Sequence, residues 1–268
     1  MSGEINKEQP VVRLRAFRAV DDPRSCELFI EGHTRVLTNI GITKVTSSKH
    51  EWMNNPAAFV LIVESIDKST VYGGARVHVA GGSQLLPIEE ATGVLDKNIF
   101  EFVKKHALSG TGEICGLWNS REIAGYGIGS IFLTRAAVAI SSQIGLTSLL
   151  ALCAPYTVEM AQMVGYEIEK SVGNEGTFYY PKLDLVATSM ILHDVSTLSK
   201  ANPEDREAIF SLRQHPNIIK TEILRKKQIE IHYETLIPNL DNWNLQEIIK
   251  LSQQHEYVPK TTHKVSFI

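Results

Sequence analysis

Three glycines at alternate positions form the strongest chemical signal in the sequence. Gly125, Gly127 and Gly129 follow a predicted buried strand over 113–118 and precede a predicted helix that runs to about residue 144. A glycine turn at the start of a helix exposes backbone N–H groups beside the positive end of the helix dipole. The sequence therefore predicts a turn that binds a phosphate or pyrophosphate, with a helix that merely starts after a flexible turn as the alternative.

Two common nucleotide-binding patterns do not fit this turn. The dinucleotide fingerprint G-x-G-x-x-G needs a different glycine spacing, and the segment 142–151, where its ribose-binding acid would lie, contains no charged residue. A P-loop needs Gly-Lys followed by Ser or Thr, and that motif does not follow here. If the glycine turn binds an anion, it therefore belongs to another class of site.

Alternating strands and helices position this turn. The hydrophobic patterns predict strands at 12–20, 57–65, 70–80, 113–118, 147–154, 166–171 and 183–191. They predict helices at 21–40, 47–54, 94–107, 129–144 and 155–164. Within the second hairpin strand, Gly73 and Gly74 indicate a bulge or a close approach of two backbones. The alternation is typical of an α/β protein.

The predicted elements change character near residue 195. Three polar helices follow, at 203–213, 217–236 and 242–254. We therefore interpret residues 1–195 as one domain and residues 196–268 as a helical C-terminal extension. This extension could serve as a lid, as a dimer arm in a homodimer, or as plain packing.

The middle helix of this extension is predicted to be amphipathic. Its apolar residues are Ile218, Ile219, Ile223, Leu224 and Ile231. The basic residues Arg225, Lys226 and Lys227 lie close by. A basic amphipathic helix can dock an acidic carrier protein or a membrane surface, but an apolar stripe that faces the core, with a solvated basic edge, is the favoured interpretation.

The turn and the order of elements over about 11–194 resemble the GNAT superfamily of N-acyltransferases. The pyrophosphate loop of that superfamily reads R/Q-x-x-G-x-G/A, and AGYGIG at 124–129 fits it except at Ala124, where Arg or Gln is usual. GARV at 74–77, followed by LPIE at 86–89, is similar to the G-x-A-R-L … L-P segment of acyl-homoserine-lactone synthases and N-acyl amino acid synthases. EICGL at 113–117 is similar to their E-L-x-R-F strand, with Gly in place of the Arg.

The resemblance implies an α/β (α+β) fold with a mixed central sheet flanked by helices. It implies an enzyme that transfers an acyl group from a CoA or acyl-carrier-protein thioester to a primary amine, such as an amino acid. Acyl-CoA, acetyl-CoA or acyl-carrier protein would be the donor, and no tightly bound cofactor is implied. The residues expected to hold the donor phosphates are Ala124, Gly125, Tyr126, Gly127, Ile128 and Gly129. An acetyl-CoA-dependent N-acetyltransferase and a non-catalytic acyl-thioester-binding module remain as alternatives.

The resembling fold also implies that two parallel strands splay apart where the thioester enters. In this chain they would be the strands over 113–119 and 147–154. A backbone N–H near Trp118 or Asn119 would then face the thioester oxygen. One well-placed donor to a developing oxyanion contributes about 3 kcal/mol to the stability of the transition state.

Four side chains are candidates for chemistry at this site. Glu113 is the expected general base, with a solvated glutamate at a strand end as the alternative. Arg76 is expected to pair with a substrate carboxylate or phosphate, with a surface salt bridge as the alternative. His78 shares a strand face with Arg76 and is a second candidate base, although a structural histidine is favoured. Because Ala161 stands where the superfamily often has a Tyr, Tyr156 is the substitute candidate that protonates the leaving thiolate.

The three cysteines, Cys26, Cys115 and Cys153, are isolated from one another in sequence. An acyl-cysteine route through Cys115 or Cys153 needs a lowered thiol pKa and a neighbouring base, so small buried apolar residues are the favoured interpretation. His193 and Asp194 have no partner at a ligand spacing, and no metal is predicted.

Composition excludes several classes of protein. The chain has 268 residues, with 27 Lys and Arg against 30 Asp and Glu, so its net charge of -3 predicts no nucleic-acid partner. The longest apolar runs, 59–63 and 149–154, fall far short of the roughly 20 residues that cross a bilayer. The polar first ten residues do not resemble a signal peptide, and scattered thiols fit a reducing compartment. We therefore expect a cytoplasmic protein, and the resemblance implies that its acceptor is a small-molecule amine.

Overall fold

The computed structural model describes residues 10–39, 41 and 50–254. Its strands are β1 Val11–Arg18, β2 Ala58–Glu64, β3 Val71–Val79, β4 Thr111–Asn119, β5 Ser148–Cys153, β6 Glu167–Ile168, β7 Thr177–Tyr179, β8 Val186–Leu192, β9 Asn217–Leu224 and β10 Lys227–Glu234. Its helices are α1 Pro23–Asn39, α2 Pro87–Thr92, α3 Asn98–Ala107, α4 Leu133–Ser141, α5 Pro155–Met163, α6 Pro203–Gln214 and α7 Leu245–Gln254. None of the helices in these residues is long and apolar enough to span a membrane.

The strands form one mixed sheet in the order β6-β8-β5-β4-β3-β2-β1-β10-β9, with β7 paired to β8. The β4–β5 and β1–β10 pairs are parallel, and the other pairs are antiparallel. The predicted α/β fold with a mixed central sheet is therefore confirmed.

Helices cover both faces of the middle of this sheet. Alternate residues of β2 enter different cores: Phe59 and Leu61 lie in the core that contains α4. Val60 and Ile62 lie in the core that contains Phe29 of α1. Because both faces are covered, β2 and β3 are buried at every position, which explains the continuous apolar run of β2 in the sequence.

The first helix begins where the sequence predicts. Pro23 occupies its first position, where the missing N–H has no intrahelical partner to lose. The Oδ1 atom of Asp22 accepts a hydrogen bond from the backbone N–H of Ser25 at 3.0 Å. This bond satisfies one of the donors left open at a helix start. The helix therefore fixes the side chains that cover one face of β3 and β4.

The prediction of a helix over 217–236 is wrong, because this segment is the β9–β10 hairpin. Its buried residues Ile229, Ile231 and Tyr233 alternate with more exposed ones, which is strand periodicity. The hairpin joins the sheet through the parallel β10–β1 pair. The C-terminal part is therefore not purely helical, and the sheet runs through the predicted boundary near residue 195.

Helix α6 and the segment before α7 also pack on the core of the chain. Arg135 of α4 donates a hydrogen bond from Nε to Asp205 of α6 at 2.8 Å, and both side chains are buried. The indole N–H of Trp243 donates to the carbonyl of Ile144 at 3.1 Å. Among the interpretations of a lid, a dimer arm and packing, these contacts demonstrate packing.

Several predicted bounds shift. The helix after the glycine turn begins at Leu133, because an irregular turn over Ile128–Phe132 with a non-helical Ser130 precedes it. The segment before α3 contains the unpredicted short helix α2. Of the predicted helix at 47–54, Glu51–Asn54 is a 3-10 turn and 47–49 lie outside the described residues.

Candidate active site

A bulge in β4 determines the geometry of the site. Gly74 of β3 pairs with Trp118 of β4, while Arg76 pairs with Cys115, so β4 has one extra residue between these pairs. Gly116 lies in this interval with φ +58°, a left-handed conformation that glycine adopts without a Cβ clash. A glycine in this conformation is typical of bulges that bend a strand and increase its twist.

Strands β4 and β5 separate at the bulge. Three residue pairs join the two strands, and the last of them is Glu113 with Leu150. Beyond this pair β4 continues to Asn119 and β5 to Cys153, with no β4–β5 pairing among the described residues. The predicted splay of the two strands is therefore present.

A cavity of about 620 Å³ occupies the gap between the two strands. Residues of β4, β5, α1, α5 and the β7–β8 connection line it, and most of them are apolar. Its apolar wall includes Val36, Leu37, Leu117, Leu152, Leu185 and Val186. The cavity has the size and apolar character typical of a small-molecule site.

Glu113 lies at the apex of the gap, where the strands part. Glu113 is only 2% exposed, and its Oε2 atom accepts a hydrogen bond from the backbone N–H of Ile88 at 2.7 Å. The pKa of Glu113 is raised to about 8, chiefly by burial and in part by Glu89, although the Ile88 hydrogen bond and the Arg76 charge oppose the shift. The alternative of a solvated glutamate is therefore wrong, and a base with this pKa is suited to accept a proton near neutral pH.

Arg76 and His78 lie beneath the cavity rather than in its wall. Arg76 is completely buried, so the alternative of a surface salt bridge is wrong. Its guanidinium carbon lies 4.3 Å from the ring centroid of Trp52. A Cβ placed on Gly116 would lie 3.0 Å from a guanidinium nitrogen of Arg76, so the arginine lies directly behind the bulge.

His78 is the cross-strand neighbour of Glu113. It is buried, and its Nε2 atom has no hydrogen-bond partner in the part of the chain that the structure describes. Burial and the charge of Arg76 lower the pKa of His78 well below its usual range. A neutral imidazole therefore adjoins the candidate base, but His78 does not line the cavity.

The glycine turn lies beside the open end of β4. Gly125 and Gly127 have φ values of +85° and +82°. The N–H groups of Ala124 and Tyr126 bond to carbonyls three residues earlier, whereas those of Gly125 and Gly127 have no acceptor among the described residues. Gly125 is exposed, so its amide is available to an anion, as the predicted phosphate turn requires, whereas Gly127 is buried against Phe132 and Leu224.

Gly129 and Asn119 connect this turn to the cavity. Both residues line it, and the side chain of Asn119 packs so closely on Gly129 that no Cβ would fit there. Trp118 also lines the cavity, and its ring lies against Gly32 of α1, again without room for a Cβ. Of the predicted donor-binding residues, Trp118, Asn119 and Gly129 thus meet at the cavity, while Ile128 is buried in the core.

Two tyrosines lie on the β5 side of the cavity. Tyr156, the predicted proton donor, is 84% exposed at the start of α5. Tyr166, which the sequence reasoning did not identify, is buried, and its hydroxyl has no hydrogen-bond partner within the described residues. Burial raises the pKa of Tyr166 well above its usual range, and Cys153 and Glu113 add to the shift. Its position directly after Gly165, which closes the predicted helix, was the available signal.

The two thiols in the cavity wall are protonated at neutral pH. Burial raises the pKa of Cys115 to about 12 and that of Cys153 to about 11. A thiol is a poor nucleophile in this state. These shifts support the interpretation of both cysteines as small buried apolar residues.

Helix α1 contributes a wall that the sequence did not predict. His33 lines the cavity and stacks on Trp118, with ring centroids 6.4 Å apart. Burial and, to a smaller extent, the Arg76 charge together lower the pKa of His33 to about 4, so the ring is neutral at pH 7. Helical spacing places Val36 and Leu37 one turn further along the same wall.

Solved structures with this arrangement include two synthases. One is FeeM, an N-acyl amino acid synthase from uncultured soil microbes, at 12% identity over 71% of this chain and 94% of that chain, with a TM-score of 0.52. Another is BjaI, a CoA-dependent acyl-homoserine lactone synthase with SAM and isopentyl-CoA, at 10% identity over 91% of this chain and 100% of that chain, with a TM-score of 0.50. The chain has a GNAT-like fold. No family model and no curated protein sequence matches it.

This fold confirms the resemblance stated from the three sequence segments. At such low identity the similarity extends to the fold, and the roles of individual residues rest on the geometry of this chain. The geometry brings Glu113, Trp118, Asn119, Gly129 and Tyr156 to one cavity. It places Arg76 and His78 behind the cavity and the first part of the glycine turn beside it.

Proposed function

We propose that the protein is an N-acyltransferase that moves an acyl group from a thioester donor to a primary amine. The observation that carries this proposal is the gap between β4 and β5, with Glu113 at its apex and a pKa of about 8. The GNAT-like fold, shared with synthases named for N-acyl amino acids and acyl-homoserine lactones, supports the same reaction class.

In this reaction the amine nitrogen attacks the thioester carbonyl. The C–N bond forms, the C–S bond breaks, and the amine loses one proton while the thiolate gains one. Glu113 is the group that accepts the proton, because its raised pKa lies near the operating pH of a general base. Backbone N–H groups near Trp118 and Asn119 would stabilise the developing oxyanion.

The leaving thiolate needs a proton donor, and Tyr166 is the stronger of two candidates. Its buried hydroxyl has no hydrogen-bond partner among the described residues and lies on a residue that lines the cavity. A phenol is protonated at neutral pH, and the raised pKa of Tyr166 means that it gives up this proton only to a strong base such as the leaving thiolate. Tyr156, at the exposed rim, is the second candidate.

The cavity favours an acyl chain longer than acetyl. Its volume of about 620 Å³ holds the reacting centre beside Glu113 together with a wall of mostly apolar residues. Apolar residues of α1 and the β7–β8 connection belong to this wall. Burial of each additional methylene would contribute about 0.8 kcal/mol to donor binding.

An amino acid is the acceptor class that we propose. The Arg76 guanidinium lies directly behind Gly116, which lines the cavity without a side chain. A carboxylate held at Gly116 would be attracted by this charge through a region of low dielectric. A simple amine without a carboxylate would lack this attraction.

The reaction is tested by thiol release from acyl-CoA thioesters of two to sixteen carbons, with and without a mixture of amino acids. We expect release that depends on the amine, is greater for the longer chains, and is lost in Glu113→Gln. Glu101→Gln, at an exposed position of helix α3, is the matched control and should behave as the wild type.

The same experiment distinguishes a non-catalytic acyl-thioester-binding module. One observation favours the module: the Glu113 carboxylate already serves as the acceptor for the first turn of α2. Donor binding without amine-dependent thiol release from any chain length would support the module and overturn the enzyme. Release from acetyl-CoA alone would instead identify an N-acetyltransferase.

A further inference from the structure

The β9–β10 hairpin brings its turn onto the glycine turn. A Cβ placed on Gly125 would lie 3.1 Å from the Nζ atom of Lys227. A Cβ placed on Gly127 would lie 3.1 Å from a methyl carbon of Leu224. Two segments that are about 100 residues apart in sequence therefore form one surface at the predicted phosphate site.

This turn carries three consecutive cations. Arg225 and Lys226 occupy its two central positions with φ values of +48° and +69°, and Lys227 begins β10. All three are exposed, and none has an acidic ion-pair partner within 4.0 Å among the described residues. In contrast, the basic side chains of Arg13 and Arg135 are each paired with carboxylates.

Lys227 is held at the site by an aromatic contact. Its Nζ atom lies 4.7 Å from the ring centroid of Tyr126, which is itself part of the glycine turn. A cation at this distance from an aromatic ring is attracted by the electrons of the ring face. The ammonium group is therefore kept next to Gly125, whose N–H has no acceptor among the described residues.

We propose that this hairpin turn and the glycine turn together bind the phosphates of a CoA thioester. The proposal rests on the proposed function, because it concerns the donor of that reaction. Backbone N–H groups of the glycine turn that have no other acceptor, such as that of exposed Gly125, and the cations at 225–227 would bind the phosphates from two sides. Three cations in addition to the amides match the several phosphates of free CoA better than the single phosphodiester of a carrier-bound phosphopantetheine.

Calorimetric binding of CoA, 3′-dephospho-CoA and pantetheine at low salt tests this site. The variant Arg225→Asn/Lys226→Gly/Lys227→Gln removes the three charges and keeps a turn sequence that favours positive φ. We expect CoA affinity to fall about tenfold or more, as the loss of charge-assisted contacts predicts, with a smaller fall for 3′-dephospho-CoA. Pantetheine, which has no phosphate, should bind both proteins equally.

Lys68→Gln is the matched control, because Lys68 is an exposed cation at a positive-φ position of the β2–β3 turn. This control should leave CoA affinity unchanged. Equal CoA affinity in the charge-removed variant and the wild type would overturn the proposal, and so would an equal loss for pantetheine. Charge-dependent binding of an acyl-carrier protein without binding of CoA would overturn the assignment to CoA.

The outcomes for the phosphate site and for the enzyme can be separated. Charge-dependent CoA binding with no thiol release would leave the phosphate site in place and remove the transferase. Amine-dependent release that is unchanged in KM for acyl-CoA by the triple substitution would leave the transferase and remove the phosphate site.

Discussion

The backbone N–H of Ile88 donates a hydrogen bond to the carboxylate of Glu113, with 2.7 Å between nitrogen and oxygen. This bond joins the LPIE segment at 86–89 to the EICGL segment at 113–117, two of the segments on which the resemblance to acyl-homoserine-lactone synthases rests. Ile88 follows Pro87, the first residue of α2, so its N–H is one of the donors that a helix start leaves open. The contact orients the carboxylate at the apex of the β4–β5 gap.

The substitution Glu113→Gln separates the two roles of this side chain. The amide oxygen of Gln can still accept the hydrogen bond of Ile88, but the side chain cannot accept a proton. We expect kcat to fall by about 10²–10⁴-fold, the usual contribution of a general base. Circular dichroism and thermal melting at pH 6 should show a folded protein. Wild-type turnover in this variant would contradict the role of Glu113 as base.

The pH dependence of turnover should follow the titration of Glu113. Because burial raises its pKa to about 8, the carboxylate is mostly protonated at pH 7 and becomes a competent base as the pH rises. We expect kcat/KM to rise with pH and to level off above about 8. A kcat/KM that does not change between pH 6 and pH 9, measured with a donor that does not itself titrate in this range, would argue against Glu113 as the base.

Stability should show the opposite trend with pH. The folded pKa values of Glu113 and Glu89, about 8 and about 7, lie above their usual value of 4.5. Their contribution is fully present below the unfolded pKa and is lost as the pH rises through the folded values. Each pKa unit corresponds to about 1.4 kcal/mol. We expect the melting temperature to fall from pH 6 to pH 9, and to fall less in Glu113→Gln than in the wild type. An equal fall in the two proteins would contradict the raised pKa of buried Glu113.

Gly116→Ala should destabilise the protein. Its φ of +58° disfavours any Cβ, and the added atom would press on the Arg76 guanidinium at 3.0 Å. A left-handed non-glycine residue costs about 1–3 kcal/mol. Urea unfolding measures this loss. Gly41→Ala is the control, because Gly41 has φ +73° but open space around it. A smaller loss at position 116 than at position 41 would contradict the close packing of Arg76.

Tyr166→Phe and Tyr156→Phe compare the two candidate proton donors. The Tyr166 hydroxyl has no hydrogen-bond partner within the described residues, so its removal should leave stability unchanged or slightly higher. We expect Tyr166→Phe to lower kcat about 10²-fold, as the loss of a general acid predicts. Single-turnover kinetics would measure this effect. A greater loss in Tyr156→Phe would assign the role to the exposed tyrosine.

Local patterns were sufficient to predict most elements of the first 195 residues. The buried run of β2 and the Asp-Asp-Pro start of α1 are properties of neighbouring residues, and both predictions are confirmed. The β9–β10 hairpin was missed because the isoleucines over 218–231 satisfy helical as well as alternate spacing. Its pairing with β1, more than 200 residues away, is what selects the strand.

The sequence predicted only part of the candidate site, again because contacts between distant segments complete it. Glu113 and the splayed strands follow from the resemblance, whereas the burial of Arg76 depends on α1, which covers its face of β3. Tyr166 enters the cavity through the fold of the chain after α5, and no local pattern indicates an unsatisfied hydroxyl. Contacts between distant segments therefore determine which candidate residues reach the cavity.

A crystal structure with a non-hydrolysable thioether analogue of a long-chain acyl-CoA would show where the donor binds. We expect the sulfur between β4 and β5 beyond the Glu113–Leu150 pair, the acyl chain in the 620 Å³ cavity and the phosphates at the glycine turn beside Gly125. An analogue bound away from this gap, or strands paired throughout their length in the complex, would contradict this expectation.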